Sequence, residues 1–291
     1  MSPARSGPAV VALGGGHGLA ASLQAARRYA GSITAVVSVA DDGGSSGRLR
    51  QAFGILPPGD LRKCLVALGD PRSVWAQVLE HRFDAGDLEG HSLGNLLLAG
   101  LASVTGDFGE ALLEAGRLVG AVGRVYPATT VPVVLKAASA NGDIEGQVNV
   151  GQAGRIASVS IVPPDAEPPA EAIEAILEAD QVIIGPGSLF TSVLAVAAVP
   201  ALREALARTR GRKIYVCNLR PQIPETEGFD VAAHVAALEA HGVDADAVVC
   251  DTGELDMGQV ALPCVEAALA RSDGLAHDPE RLAAVLEDLV G

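Results

Sequence analysis

The chain has 291 residues and a formal net charge of −14, from 21 Lys and Arg against 35 Asp and Glu. That balance excludes the broad basic surface needed for non-specific nucleic-acid binding, but it leaves open local anion sites built from backbone N–H groups. Hydrophobic residues make up 49% and charged residues 19%, which excludes a disordered chain and fits one globular domain across residues 1–291.

In chain order, Ala9–Leu13 is the first apolar run, Leu19–Ala30 has a helical pattern, and Ile33–Val39 is the second apolar run. Both runs read as buried parallel strands: they are short, rich in Val and Ile, and bounded by turn residues. Leu61–Leu68, Ser73–Phe83, Leu93–Val104 and Phe108–Gly120 read as helices. Val125–Ala137, Ile144–Val150 and Arg155–Val162 read as strands with no helix between them, a small antiparallel excursion over about residues 125–162. Pro163–Pro169 (PPDAEPP) reads as a stiff linker. The α/β alternation then resumes. Helices are expected at Ala170–Ala179, Ala201–Arg208 and Val231–His241, and strands at Gln181–Ile184, Lys213–Cys217 and Ala245–Cys250. Asp278 as N-cap and Pro279 at the first helical position open a last helix, Asp278–Leu289.

Met1 to Pro8 is short and polar and carries no signal-peptide pattern. No apolar run reaches the roughly 18 to 20 residues that cross a bilayer, so no membrane insertion is expected. Cys64, Cys217, Cys250 and Cys264 form no C-x-x-C pair and are well separated in sequence, as reduced thiols of a cytoplasmic protein are.

The chemistry-bearing residues fall at strand ends. Gly14-Gly15-Gly16-His17-Gly18 follows the first strand and opens a helix, where exposed N–H groups and the helix N-terminus favour an anion. It is neither the dinucleotide fingerprint, whose third glycine position holds Leu19, nor a Walker loop. Asp41-Asp42-Gly43-Gly44-Ser45-Ser46-Gly47-Arg48 follows the second strand. Asp41 and Asp42 suit sugar hydroxyls or a hydrated Mg²⁺. The glycine–serine run reads as a loop that closes on a ligand, with Arg48 and Arg50 offered to phosphate. Asp60 reads as the N-cap of the Leu61–Leu68 helix, with Arg62 facing a ligand. Ser92 reads as the cap of the next helix, with His91 and Asn95 four apart on one face. Gly185-Pro186-Gly187-Ser188 repeats the glycine turn, with Thr191 and Ser192 adding hydroxyls to free N–H groups. Asn218, at the end of its strand, can read a base or sugar edge. In an open parallel sheet these strand ends share one edge, where ligands bind.

The strings GGGHGL, SVADDGGSSGRLR, PPGDLRKCLVAL, HSLGNLLLA, TGDF and GPGSLFTSVL occur in the order of the gluconeogenesis factor family, which the chain resembles from about Val10 to His241. That family is similar in fold to the 2-phospho-L-lactate transferases of coenzyme F420 synthesis. The resemblance implies a cytoplasmic protein with a Rossmann-like three-layer α/β/α fold. It implies a non-catalytic regulator that binds UDP-N-acetylglucosamine and supports cell shape, cell-wall precursor supply and central carbon metabolism. Residue by residue, it implies a ligand site at Gly14, Gly15, Gly16, His17, Gly18, Asp41, Asp42, Ser45, Arg48, Asp60, Arg62, His91, Asn95, Gly185, Gly187, Ser188 and Asn218. The chain departs from the family's usual pattern at His17 and Lys63, where Thr and Asn are usual, and after His241.

The alternative activity is a phosphotransferase of the phospholactate type, Mg²⁺-dependent through Asp41 and Asp42; a third reading is an NAD oxidoreductase. The expected partner is a nucleotide or nucleotide sugar and not nucleic acid. A second copy of the chain and regulatory protein partners remain open.

Overall fold

The Val- and Ile-rich runs pair as parallel strands because their side chains are apolar on both faces and need a layer on each. The computed structural model describes residues 6–140 and 142–290; Met1–Arg5, the start of the N-terminal stretch read above, lie outside the described residues. The strands are β1 (Ala9–Gly14), β2 (Ser32–Val37), β3 (Arg124–Pro127), β4 (Val134–Ser139), β5 (Gly142–Glu145), β6 (Ile156–Val162), β7 (Gln181–Ile184), β8 (Arg212–Val216), β9 (Ala247–Cys250) and β10 (Cys264–Glu266).

Seven of them form one sheet in the order β10-β9-β8-β7-β1-β2-β3, with every neighbouring pair parallel. Val10 to Leu13 are buried against Ile33–Val36 on one side and Gln181–Ile184 on the other. The chain leaves β1 toward β2 and β3, then returns to β7 on the opposite flank of β1. The strand order therefore reverses between β1 and β7, the place where an open α/β sheet opens a crevice at its carboxyl edge. Helices flank the sheet. Gly16–Ala26 packs against Pro58–Leu68 and Pro279–Asp288, whereas Ala170–Leu177 packs against Pro200–Arg208.

The excursion is a three-stranded antiparallel sheet, β5-β4-β6. Two details differ from the sequence reading. The run from Val125 to Ala137 is not one strand: Arg124–Pro127 becomes the parallel edge strand beside β2, and pairing resumes only at Val134. Pro127 and Pro132 lack the N–H a continuous ladder requires. Ile144–Val150 is strand only to Glu145, and Gln147–Gly151 is helical. The cause is tertiary, because the Asp42 carboxylate accepts from the N–H groups of Gln147 and Val148, each at 3.0 Å, and caps that helix from a distant part of the chain.

The glycine–serine run is also not a loop. Gly44–Phe53 is a helix ended by Gly54 in the left-handed region. A Cβ on Gly47 would lie 2.0 Å from the carbonyl oxygen of Asp42, so glycine there lets the helix close onto the chain that leads into it. Ser45 and Ser46 are buried, not solvated.

Candidate functional site

At the end of β1 the chain turns directly into the Gly16–Ala26 helix. Gly16 has φ +65°, a conformation that glycine takes without strain. Gly15 and Gly18 are glycines for another reason, close approach. A Cβ on Gly15 would lie 2.7 Å from Oδ2 of Asp60, and one on Gly18 would lie 2.4 Å from the carbonyl oxygen of Pro186. The two glycine turns thus press on each other across the β1/β7 reversal. The N–H groups of Gly16, His17 and Gly18 belong to the first helical turn, which has no intrahelical acceptors. All three residues line a cleft of about 630 Å³, a size typical of small-molecule sites.

The second glycine turn is built differently from the sequence reading. Its donors are already engaged. The Phe190 and Thr191 N–H groups both donate to Oε1 of Glu225 at 2.9 Å, and the Ser188 hydroxyl donates to Oε2. The Gly187 N–H donates to Oδ1 of Asn218 at 3.0 Å, and the Asn218 amide returns a bond to the Gly187 carbonyl at 2.9 Å. Glu225 is an internal anion seated where free N–H groups were expected. Burial pushes its carboxyl above the ordinary range, against the pull of those hydrogen bonds. Asn218 lines the cleft but holds the β7 and β8 ends together with its amide.

The carboxylates facing the cleft are Asp41 and Asp60. Burial raises the Asp41 carboxyl, the Gly43 N–H at 3.0 Å lowers it, and the charge of Asp60 raises it again. Asp60 is not a helix cap; the helix starts at Pro58, and Asp60, in its first turn, bonds Lys63 at 3.0 Å. Lys63 also lines the cleft. Burial and the Lys63 charge hold His17 below the ordinary imidazole value.

The remaining candidates sit elsewhere. Both Asp42 oxygens cap the Gln147–Gly151 helix, and Asp42 does not line the cleft. Ser45, His91, Asn95 and Arg62 form one chain of contacts behind the cleft wall. The Ser45 hydroxyl meets Nδ1 of His91 and Nδ2 of Asn95, each at 3.1 Å, and Arg62 Nε donates to Oδ1 of Asn95 at 3.0 Å. Arg62 Nη1 bonds the Leu79 carbonyl and Glu80, each at 2.8 Å. Arg62 is 4% exposed and does not line the cleft. Ser92 sits at the cap position, but its hydroxyl donates to the Leu79 carbonyl instead. Arg48 donates to the Glu89 carbonyl and Arg50 to the Val133 carbonyl. Gly14 and Gly185 shape the turns without lining the cleft, and Gly185 N–H bonds Leu13 within the sheet.

Sequence reasoning missed Arg220, Gln222, Gln147 and the strap Leu275–His277, all of which line the cleft. Arg220 is exposed at the rim and donates to the Gly274 carbonyl at 2.5 Å. His277 is buried, and its Nε2 bonds the Cys217 carbonyl at 3.1 Å. Lys63 had a signal: it stands one helical turn after Asp60. The strap had none, since only the packing of the C-terminal stretch brings it over the β8 end. Among the described residues, no group of three or more His, Cys, Asp or Glu is placed to hold a metal.

A family model described as 2-phospho-L-lactate transferase CofD matches residues 10–285. The chain belongs to the CofD family. Within that family it is similar to a gluconeogenesis factor of Halalkalibacterium halodurans, 45% identical over 235 residues, which span 80% of this chain and 73% of that protein. A gluconeogenesis factor of Bacillus subtilis is 43% identical over 237 residues, spanning 80% of this chain and 75% of that one. A relative from Nostoc is 46% identical over 239 residues, and there the match spans 80% of this chain but 52% of the relative, about half its length. The crystal structure of a UPF0052 family member from Bacillus halodurans superposes with a TM-score of 0.92 at 35% identity, covering 97% of this chain and 99% of that one.

Proposed function

We propose that this CofD-family chain is a cytoplasmic regulator that binds a nucleotide sugar of the UDP-N-acetylglucosamine class. In this reading it couples the supply of cell-wall precursor to central carbon metabolism and cell shape. The observation that carries the reading is the first turn of the Gly16–Ala26 helix, whose N–H groups open onto the cleft at the β1/β7 reversal. That is a seat for a diphosphate. Lys63 and Arg220 add two cations at its sides, in a chain that is otherwise strongly acidic. Asp41 and Asp60 accept hydroxyls of the sugar or ribose. The name gluconeogenesis factor, borne by relatives at 43% and 45% identity, supports the metabolic role.

The test is calorimetry and thermal shift with UDP-N-acetylglucosamine, UDP, GDP and NAD. Selective stabilisation by the UDP-sugar, lost in Lys63→Met, is the expected result. Stabilisation by none of the UDP compounds overturns the reading.

One observation favours a second reading, phosphotransfer. Asp41 and Asp60 face the same cleft, and Mg²⁺ is commonly held by one or two carboxylates together with substrate phosphates. The bound ion would neutralise phosphate charge there. The family description is that of a transferase. Transfer of phospholactate from a guanylyl-type donor to a deazaflavin acceptor, lost in Asp41→Ala, would establish that reading in place of the first.

A further inference from the structure

We propose that Cys250, Met257 and Cys264 form a binding site for a monovalent soft metal ion, Cu(I), on the sheet edge away from the cleft turns. The four cysteines are far apart in sequence, but the fold brings two of them together. β10 runs parallel to β9, and the register places Cys264 opposite Val248 and Glu266 opposite Cys250. The two thiols project to the same place, with their sulfurs 3.3 Å apart. The loop between the strands folds back so that Met257 Sδ lies 3.3 Å from Cys264 Sγ and 3.9 Å from Cys250 Sγ. Three soft donors therefore stand in a triangle with no harder ligand among them.

The triangle is slightly tighter than a trigonal metal site. An ion about 2.3 Å from each sulfur, as in metal–thiolate bonds, places the sulfurs about 4.0 Å apart. The two 3.3 Å sides need to open by about 0.7 Å, whereas the 3.9 Å side already matches. Thiolate and thioether ligands select Cu(I) over harder ions. Mg²⁺ and Ca²⁺ require oxygen ligands, which this triangle does not offer.

Binding replaces two protons by the metal. Cys250 and Cys264 each release H⁺ to solvent, and Cu⁺ with two thiolates and a neutral thioether leaves a net charge of −1. No electron moves. Entry is open, because Cys264 is exposed and Met257 is partly exposed.

The loop that carries Met257 is tied to the rest of the fold. The Asp251 carboxylate accepts from the N–H groups of Gly253, Leu269 and Ala270, at 3.0, 2.7 and 3.0 Å. The triangle is therefore held by strands and an anchored loop, not by free termini.

The test is anaerobic titration of the full-length reduced protein with Cu(I) in competition with bicinchoninate, with Ag(I) as a second probe. The expected result is one Cu(I) retained per chain. Cys264→Ser should abolish retention, and Met257→Leu should weaken it by at least the roughly tenfold loss that even an outer-shell change causes. Cys64→Ala should leave binding unchanged, since Cys64 is buried in the Pro58–Leu68 helix. Circular dichroism of each variant shows that the fold is kept; Cys264 is exposed and Leu matches Met in volume. No retention by the wild type, undiminished binding by Cys264→Ser, or undiminished binding by Met257→Leu would each overturn the site.

Discussion

Replacing His277 with Gln removes one titrating group from the wall of the cleft and keeps a donor for the Cys217 carbonyl. His277 Nε2 lies 3.1 Å from that carbonyl, and the Gln amide can reach the same place. In the folded protein burial holds the imidazole from its ordinary 6.5 down to about 4, although the Cys217 carbonyl and Asp251 pull the other way. Above pH 6.5 the ring is neutral in both states and contributes nothing to the pH dependence. As the pH falls through 6.5 toward 4, the unfolded chain takes up a proton that the folded protein refuses, so stability is lost across that window. A pKa difference of about 2.5 at about 1.4 kcal/mol each corresponds to a loss on the order of 3 kcal/mol by the acid end. Urea unfolding of both proteins at about pH 7.5 and about pH 4.5 measures it. Other titrating groups act alike in both proteins and cancel in the difference. The wild type should lose about 2 to 3 kcal/mol more than His277→Gln on going to the acid condition. An equal loss in the two proteins, or a larger one in the variant, would refute the assignment of a buried neutral His277.

Three further outcomes follow from the contacts around the cleft. Gly18→Ala sets a methyl 2.4 Å from the carbonyl oxygen of Pro186, a backbone atom that cannot swing aside, so thermal melting should show a loss of about 1 to 3 kcal/mol together with loss of the proposed nucleotide binding. Arg62→Met leaves the buried Asn95 Oδ1 without its donor and takes from the Leu79 carbonyl one of its two, the Ser92 hydroxyl remaining, so it should cost about 1 to 3 kcal/mol in urea unfolding, while the affinity of the remaining folded protein for the proposed UDP-sugar stays unchanged. Asp42→Ala removes the cap of the Gln147–Gly151 helix and should cost about 1 kcal/mol, with faster amide exchange at Gln147 and Val148 than in the wild type.

What the sequence determined by itself is local and periodic. The runs at Ala9, Ile33, Gln181, Lys213 and Ala245 are strands because apolar side chains on both faces can only be buried between two layers. The helices at Leu93, Phe108, Ala170 and Val231 follow from spacing and turn residues in the same way. Those strands ending in glycine turns or acidic residues already placed Gly15–Gly18, Asp41, Gly187, Ser188 and Asn218 on one edge, where the cleft lies. The tertiary structure decided which of the polar groups there are free. Glu225, remote in sequence from Phe190 and Thr191, takes the N–H groups that the second glycine turn offered. Asp42 turns from its neighbour Asp41 to cap a helix more than a hundred residues on, and Arg62 turns inward to Asn95 and Glu80. A polar side chain looks the same in sequence whether its partner is a ligand or a distant backbone group, because burial is what forces it to find one. The His277 strap and the Cys250–Met257–Cys264 triangle have the same origin: strand order and register bring together residues whose sequence separation carries no signal of contact.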